Sequence, residues 1–220
     1  MKLYYICIGA VLSLCSLLAQ EPYQTRIFQP KHIKSLQIKQ PEQLFSNPII
    51  TLGSGEQLLF SFDDMLSNHG RYAYSIIHCD ADWRPSSLAP IEYLDGFQGL
   101  TIDDFANSMA TTTSYTNYRL YLPNEDVQFK VSGNYVLRVY LEDNPDETVF
   151  TACFHVVEPQ VQIAAYISGN TNIDTYQQHQ QLGFAIQTKQ FRIAYPQSDL
   201  KIRVTQNNRT DNAVTDIQPS

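Results

Sequence analysis

The residues of this 220-residue chain whose types and spacing could do chemistry gather in His78-Cys79-Asp80-Ala81-Asp82-Trp83-Arg84. His78, Asp80 and Asp82 alternate, so a continuing strand would aim all three at one side, as a metal site requires. The set stays incomplete. Structural zinc takes four ligands dominated by cysteine and histidine, and calcium takes six to eight oxygens, usually from a glycine-containing acidic loop. The competing reading, adopted here, is a strand that ends and turns at Arg84-Pro85, with Asp82 bonding backbone amides of the turn. Cys79 with a distant histidine has the parts of a nucleophile, but nothing local would lower its pKa. Asp63-Asp64 and Asp103-Asp104 are paired carboxylates, yet neighbours on a strand point to opposite faces and form no acid/base couple. No Gly-x-Ser-x-Gly elbow, His-Glu-x-x-His helix or phosphate-binding glycine loop occurs. The expectation is a protein that is not an enzyme, with no metal, cofactor or small-molecule substrate.

The elements around this stretch read as β-strands. Leu58 to Phe62, Tyr72 to Cys79, Tyr115 to Leu122, Tyr135 to Leu141 and Val149 to Val157 are strand-like. Tyr135, Leu137, Val139 and Leu141 share a face, as do Phe150, Ala152, Phe154 and Val156, so each of these two strands reads as buried on one side only. Turn residues separate the runs at Asn68-His69-Gly70, Pro123 to Asp126, and Asp143-Asn144-Pro145-Asp146, the last joining the two best strands as a hairpin. Thr101 to Ser108 fits a short helix or an extended connector equally well. Short strands with frequent turns point to an all-β sandwich, and Gly133-x-Tyr135-x-x-x-Val139 resembles the tyrosine-bearing strand of immunoglobulin-like domains.

Glu158-Pro159 makes a boundary. Beyond it come strand-like runs at Val161 to Ile167, Gly183 to Thr188 and Leu200 to Gln206, with a polar glutamine-rich patch at Tyr176 to Gln181. About sixty residues make a thin core for an independent domain. The expected organisation is a signal peptide at 1–19, an immunoglobulin-like β-sandwich at 20–158, and the start of a second β domain at 159–220.

The signal peptide rests on Lys2 followed by uncharged Leu3 to Leu18 and the small Ala19. That run is short of the roughly 20 residues a membrane-spanning helix needs. Leu12-Ser13-Leu14-Cys15 also has the outline of a lipoprotein cleavage box, with Leu14 where a small residue belongs. Without residues 1–19 the chain keeps 14 basic and 22 acidic side chains, a formal charge of −8. The acids are scattered and nucleic acid is excluded as a partner, since its phosphates would be repelled. Cys79 and Cys153 remain, too few for a disulfide scaffold. Cys153 points away from the core in this reading, whereas Cys79 shares the buried side of its strand with Ile77, Ser75 and Ala73; two free thiols are expected. Tyr115, Asn117, Arg119 and Tyr121 form one strand face, and with Tyr93, Phe97 and Phe105 they offer either a stacking platform or ordinary core packing.

Tyr74 to Trp83, Ser87, Glu92 to Phe97, Ile102, Ser108, Tyr115-Thr116-Asn117-Tyr118, Leu122-Pro123-Asn124, Ser132-Gly133-Asn134-Tyr135 and Val156-Val157-Glu158 together resemble the N-terminal domain of the type IX secretion system plug protein family of Bacteroidota. Pro196, Asp199-Leu200-Lys201, Gln206-Asn207 and Asp211-Asn212-Ala213 resemble the start of that family's next domain. Asn117 stands where a histidine is expected, and Cys153 where a basic residue is more usual. The resemblance marks Cys79, Asp82, Trp83, Ser87, Gly96, Ser108, Tyr115, Tyr118, Pro123, Gly133, Asn134 and Tyr135 as motif positions with a structural role. It implies a periplasmic protein at the inner face of the outer membrane, whose partner is the translocon barrel and which closes that pore when no cargo passes. Two other readings stand beside it: a glycan-binding sandwich, and a structural module of a larger secreted protein.

Overall fold

The computed structural model describes residues 21–28, 31–66, 70–170, 179–188, 192–207, 209, 212–215 and 217. The expected signal peptide, Asn68 and His69 of the first turn, and the glutamine-rich patch before His179 lie outside them. In chain order the strands are β1 (Arg26–Ile27), β2 (Ile33–Lys39), β3 (Ile49–Thr51), β4 (Leu58–Asp64), β5 (Tyr72–Cys79), β6 (Leu94–Gly96), β7 (Leu100–Thr101) and β8 (Asp104–Asn107). They continue with β9 (Thr116–Leu122), β10 (Val127–Phe129), β11 (Gly133–Leu141), β12 (Asn144–Val157), β13 (Gln162–Ser168) and β14 (Gln181–Gln187). One-turn helices stand at Pro90–Tyr93 (α1) and Pro196–Asp199 (α2).

β4 and β9 alternate strictly between buried and half-buried residues, the mark of a strand with one face on a core. They pair antiparallel and form the middle of a sheet ordered β2-β4-β9-β8. The second sheet runs β12-β11-β5-β7, with β1 antiparallel and β3 parallel on the free side of β12. The sheets face each other through rings: Phe60 meets Phe154 (5.3 Å), and Phe62 meets both Tyr72 (5.2 Å) and Phe150 (5.0 Å), all edge-on. This is the two-sheet order of the immunoglobulin fold, with β2 crossing from one sheet to the other through β3.

Thr101 to Ser108 is extended, not helical: it finishes β7 and supplies the edge strand β8. The hairpin between the two longest strands turns at Glu142-Asp143, because Leu141 already pairs with Asn144, so the expected turn at Asp143 to Asp146 sits two residues too late. One-sided burial fails for β11 and β12. Val136, Tyr140 and Thr151 lie on the outer face and are buried nonetheless. Two elements reach that face: Thr151 Oγ1 donates to Gln24 O (2.6 Å), and the Trp83 ring sits edge-on against His155 (5.1 Å).

The core side of β5 is the reverse of the one expected. Tyr72, Tyr74 and Ile76 enter the inter-sheet core, and bulk decides this, since both sides of β5 carry apolar residues. Beyond Val157, β13 and β14 pair along seven residues each. Leu200 to Gln206 forms no strand; Val204 makes an isolated bridge to Val214.

Candidate functional site

Most of the motif positions converge at the end of the sandwich where β5 runs out and β11 begins. β5 stops because Asp80 folds the chain back. Its carboxylate Oδ1 accepts from the amides of Asp82 (2.8 Å) and Arg84 (3.0 Å), and its own amide donates to Arg84 O (2.8 Å). The residue bonding the turn is therefore Asp80, not Asp82 as expected. Asp82 is exposed and pairs with Lys201 Nζ at 3.7 Å. Trp83 sits in the turn with φ 61, which throws its ring sideways onto His155. Ser87 follows in an exposed position.

Asn134 ties this turn to β12. Its Nδ2 donates to Asp80 O (2.8 Å), which leaves Oδ1 facing His155 Nδ1 at 2.8 Å. Only a protonated Nδ1 can donate there, so the nitrogen open to titration is Nε2. Burial, and secondarily the charge of Arg203, hold the His155 pKa below its ordinary value. Cys79 lies beside Asn134 on the same outer face, and its thiol is pushed up to about 12 by burial, with Cys153 and Asp80 adding to it. Cys153 is pushed up to about 11 by burial, against a hydrogen bond from Thr25. Both thiols are free and protonated at neutral pH. They share one face, contrary to expectation, and β11 runs between their strands.

On the core side of the same corner, His78 holds Ser86 Oγ at 2.7 Å through Nδ1 and stacks on Tyr93 (5.6 Å). It points inward, away from Asp80, so the three alternating residues do not converge. Among the described residues no cluster of three or more His, Cys, Asp or Glu could hold a metal. Gly133 packs against His78 with φ 155. Tyr135 is fully buried and donates from its hydroxyl to Val131 O (2.8 Å), four residues upstream. That is the tyrosine corner expected of this strand.

The remaining motif positions serve neighbouring joints. Gly96, with φ 137, lets β6 lie against the Asp126 carbonyl. Pro123 ends β9, and its carbonyl accepts from Gln57 Nε2 (2.7 Å). At the far end, Ser108 and Tyr115 close the 109–114 loop: Ser108 N donates to Tyr115 O (2.8 Å) and Tyr115 N to Ser108 Oγ (2.9 Å). Tyr118 is a core residue, stacked on Phe62 (5.1 Å) with its hydroxyl donating to Gly70 O (2.8 Å).

The aromatic platform does not assemble. Asn117, Arg119 and Tyr121 do alternate on the outer face of β9, but Tyr93 is in the core, its hydroxyl on Ile76 O (3.0 Å). Phe97 is exposed by itself, and Phe105 leans on Tyr118 (5.7 Å). The sequence marks Asp80 only as a candidate metal ligand and not as the acceptor of the turn, and it does not single out His155 or Gln98 at all. Asp followed by two turn-forming residues is a signal that could have found the first; the other two carry none.

Strand order, the tyrosine corner and a corner knit by polar side chains define an immunoglobulin-like β-sandwich. The chain matches the family described as type 9 secretion system plug protein, 1st domain, over residues 33–158, and it belongs to that family. It is similar to a hypothetical protein from Parabacteroides merdae ATCC 43184 known from a crystal structure: 60% identical, TM-score 0.88, covering 91% of this chain and 50% of that one. The chain thus spans about half the length of that relative. A Pseudomonas fluorescens alkylpurine DNA glycosylase, AlkC, aligns at 12% identity over 57% of this chain and 30% of that one, with a TM-score of 0.29 that carries no argument. No curated protein matches.

Proposed function

We propose that this protein is a periplasmic plug of the type IX secretion translocon, lying at the inner face of the outer membrane and closing the pore while no cargo passes. Membership of the plug family is the observation that carries the reading. The sandwich at 20–158 is the plugging body, and 159–220 begins a second β domain. The role is one of binding and not of chemistry. High thiol pKa values and a histidine turned into the core suit such a role, because neither leaves a reactive group at the surface.

Occlusion needs only a reversible interface of ordinary size, roughly 1,200–2,000 Å², since arriving cargo has to displace it. Deleting the gene is expected to leave cells viable but make the outer membrane permeable to bulky solutes such as vancomycin, with complementation restoring the barrier. The full-length protein is expected to co-purify with the translocon barrel. A deletion strain no more permeable than its parent, together with no co-purification, refutes the plug reading and moves a glycan-binding sandwich ahead of it.

A further inference from the structure

The sandwich finishes its own edges, as soluble proteins do with the unpaired donors and acceptors of an outer strand. The free side of β12 is covered by β1 and β3. β5 is met by β7 at Ala73 and Tyr74. Past that point Gln98 stands in for a strand: Ile76 N donates to its Oε1 (2.8 Å), and its Nε2 donates to Ile76 O (2.8 Å). β8 carries Asp104, and β2 is broken by a bulge between Lys34 and Gln37.

The hairpin β13–β14 has none of these devices. Neither of its seven-residue strands carries a charged side chain, and among the described residues no third strand joins it. The register sorts its side chains into two faces. On one face Gln162, Ser168, Gln181 and Gln187 are polar, and the Tyr166 ring lies over Gly183, in the place of the missing side chain. That face is finished. The other pairs Ile163 with Ile186, Ala165 with Phe184 and Ile167 with Leu182, and is apolar throughout. It is also open, with Ile163 at 65% and Ile167 at 68% exposure. A two-stranded sheet is at best marginal in water until further strands or a second layer bury its apolar side. Uncharged strands with one wholly apolar face have the pattern of strands inside a half-buried sheet.

Size selects what covers the face. It measures about 24 Å by about 10 Å, from the rise per residue and the strand spacing. Two copies pressed together through it would bury about 500 Å², well short of the roughly 1,200 Å² of a stable association. A layer carried on the same polypeptide needs no such area, because tethering keeps its effective concentration high. Relatives have the length for one: 91% of this chain fills only 50% of the Parabacteroides merdae protein, which therefore holds about as many residues again.

We propose that the face bearing Ile163, Ile167, Phe184 and Ile186 is half the core of the second β domain. The other half is a layer of strands with alternating apolar residues, supplied by the same polypeptide past Ser220, in the part that matches the rest of that relative. The inference rests on the reading of 159–220 as the start of a second β domain, and not on the plug role.

The test uses the full-length protein as its gene encodes it, with the variants Ile163→Cys and Ile167→Cys labelled by iodoacetamide and each site followed by peptide mass spectrometry. Both positions are expected to react at least about a hundredfold more slowly in the native protein than after unfolding. A Tm lowered by about 5 °C or more in either variant also supports the covered face, since an exposed position tolerates the change. Fast labelling at both positions with a Tm within about 2 °C of the parent overturns the proposal. So does protection that disappears on dilution, which would make the cover a second copy, and so does a reading frame that ends at Ser220. Co-purification with the translocon barrel is scored separately. Barrel retained with the face open sinks this inference alone; barrel absent with the face covered sinks the plug reading alone.

Discussion

His78 occupies the space that a side chain at position 133 would need. A Cβ on Gly133 would overlap His78 Nε2, and the glycine also holds φ 155, where side chains rarely sit. The imidazole cannot retreat, because Ser86 Oγ holds one edge (2.7 Å) and the rings of Tyr93 and Tyr135 flank it. Gly133→Ala is expected to destabilise the protein by about 2–4 kcal/mol, from overpacking plus backbone strain. Urea unfolding measures this, and His78→Ala in the same chain should return the overpacking share but not the strain. An unchanged midpoint for Gly133→Ala would contradict the packing described.

Tyr135 separates two contributions that one substitution alone would merge. Tyr135→Phe keeps the ring against Phe129 and Phe154 and loses the hydroxyl's bond to Val131 O (2.8 Å) with its longer contact to Tyr93 O (3.5 Å), a cost of about 1 kcal/mol. Tyr135→Ala empties a fully buried site and costs about 3–5 kcal/mol. Equal losses for the two variants, read by thermal or urea unfolding, would mean that the hydroxyl and not the ring anchors this strand.

Stability should fall at both ends of the pH scale for different reasons. The folded state holds His155 below its ordinary pKa, so below about pH 6.5 the unfolded chain binds more protons and stability drops as pH falls. Burial raises Tyr72, Tyr135 and Tyr118, the last to about 12, so above about pH 10 the unfolded chain releases protons that the folded one keeps, and stability drops as pH rises. Unfolding free energies of the parent and of His155→Gln, measured from pH 5 to 8, should converge toward the acid end. Parallel curves would show that His155 does not titrate in this window.

The two thiols should be slow to react in the native protein. Cys79 is buried, and both are pushed well above neutral pH, to about 12 and about 11. In the chain without residues 1–19, alkylation at pH 8 should label little before unfolding and two sites, Cys79 and Cys153, after it. A native mass two hydrogens light, with resistance to alkylation after unfolding, would show a disulfide instead.

β4 and β9 were legible as sequence because period-2 burial against one core leaves a plain trace, and β11 and β12 were legible from their long apolar runs, although both of their faces are partly buried. Tyr135 was legible because it opens one of those runs, with a turn glycine two residues ahead of it. β2 hides because its bulge shifts the period midway, and β6 and β10 are three residues each, too short to show any period. The face of β5 was misread because Ala73, Ile77 and Cys79 look as apolar as Tyr72, Tyr74 and Ile76; ring volume chose between them. Asp80 and Asp82 are equivalent by type, and only the path of the turn makes one of them its acceptor. Asn134 was marked by motif, but its partner His155 lies 21 residues on, a distance that no local pattern spans.

The parallel pairing of β3 with the end of β12 has a mechanical consequence. His155 N donates to Pro48 O and Leu52 N to Val157 O, both at 2.8 Å, across strands that run the same way. A pull on the polypeptide toward its beginning and another toward its end would drag these two strands past each other lengthwise. Bonds across such a pair carry the load together instead of unzipping singly. Resistance to forced extension is a matter of unfolding rate and not of equilibrium stability, so this short patch can keep the sandwich intact under tension even if its contribution to the folding free energy is small.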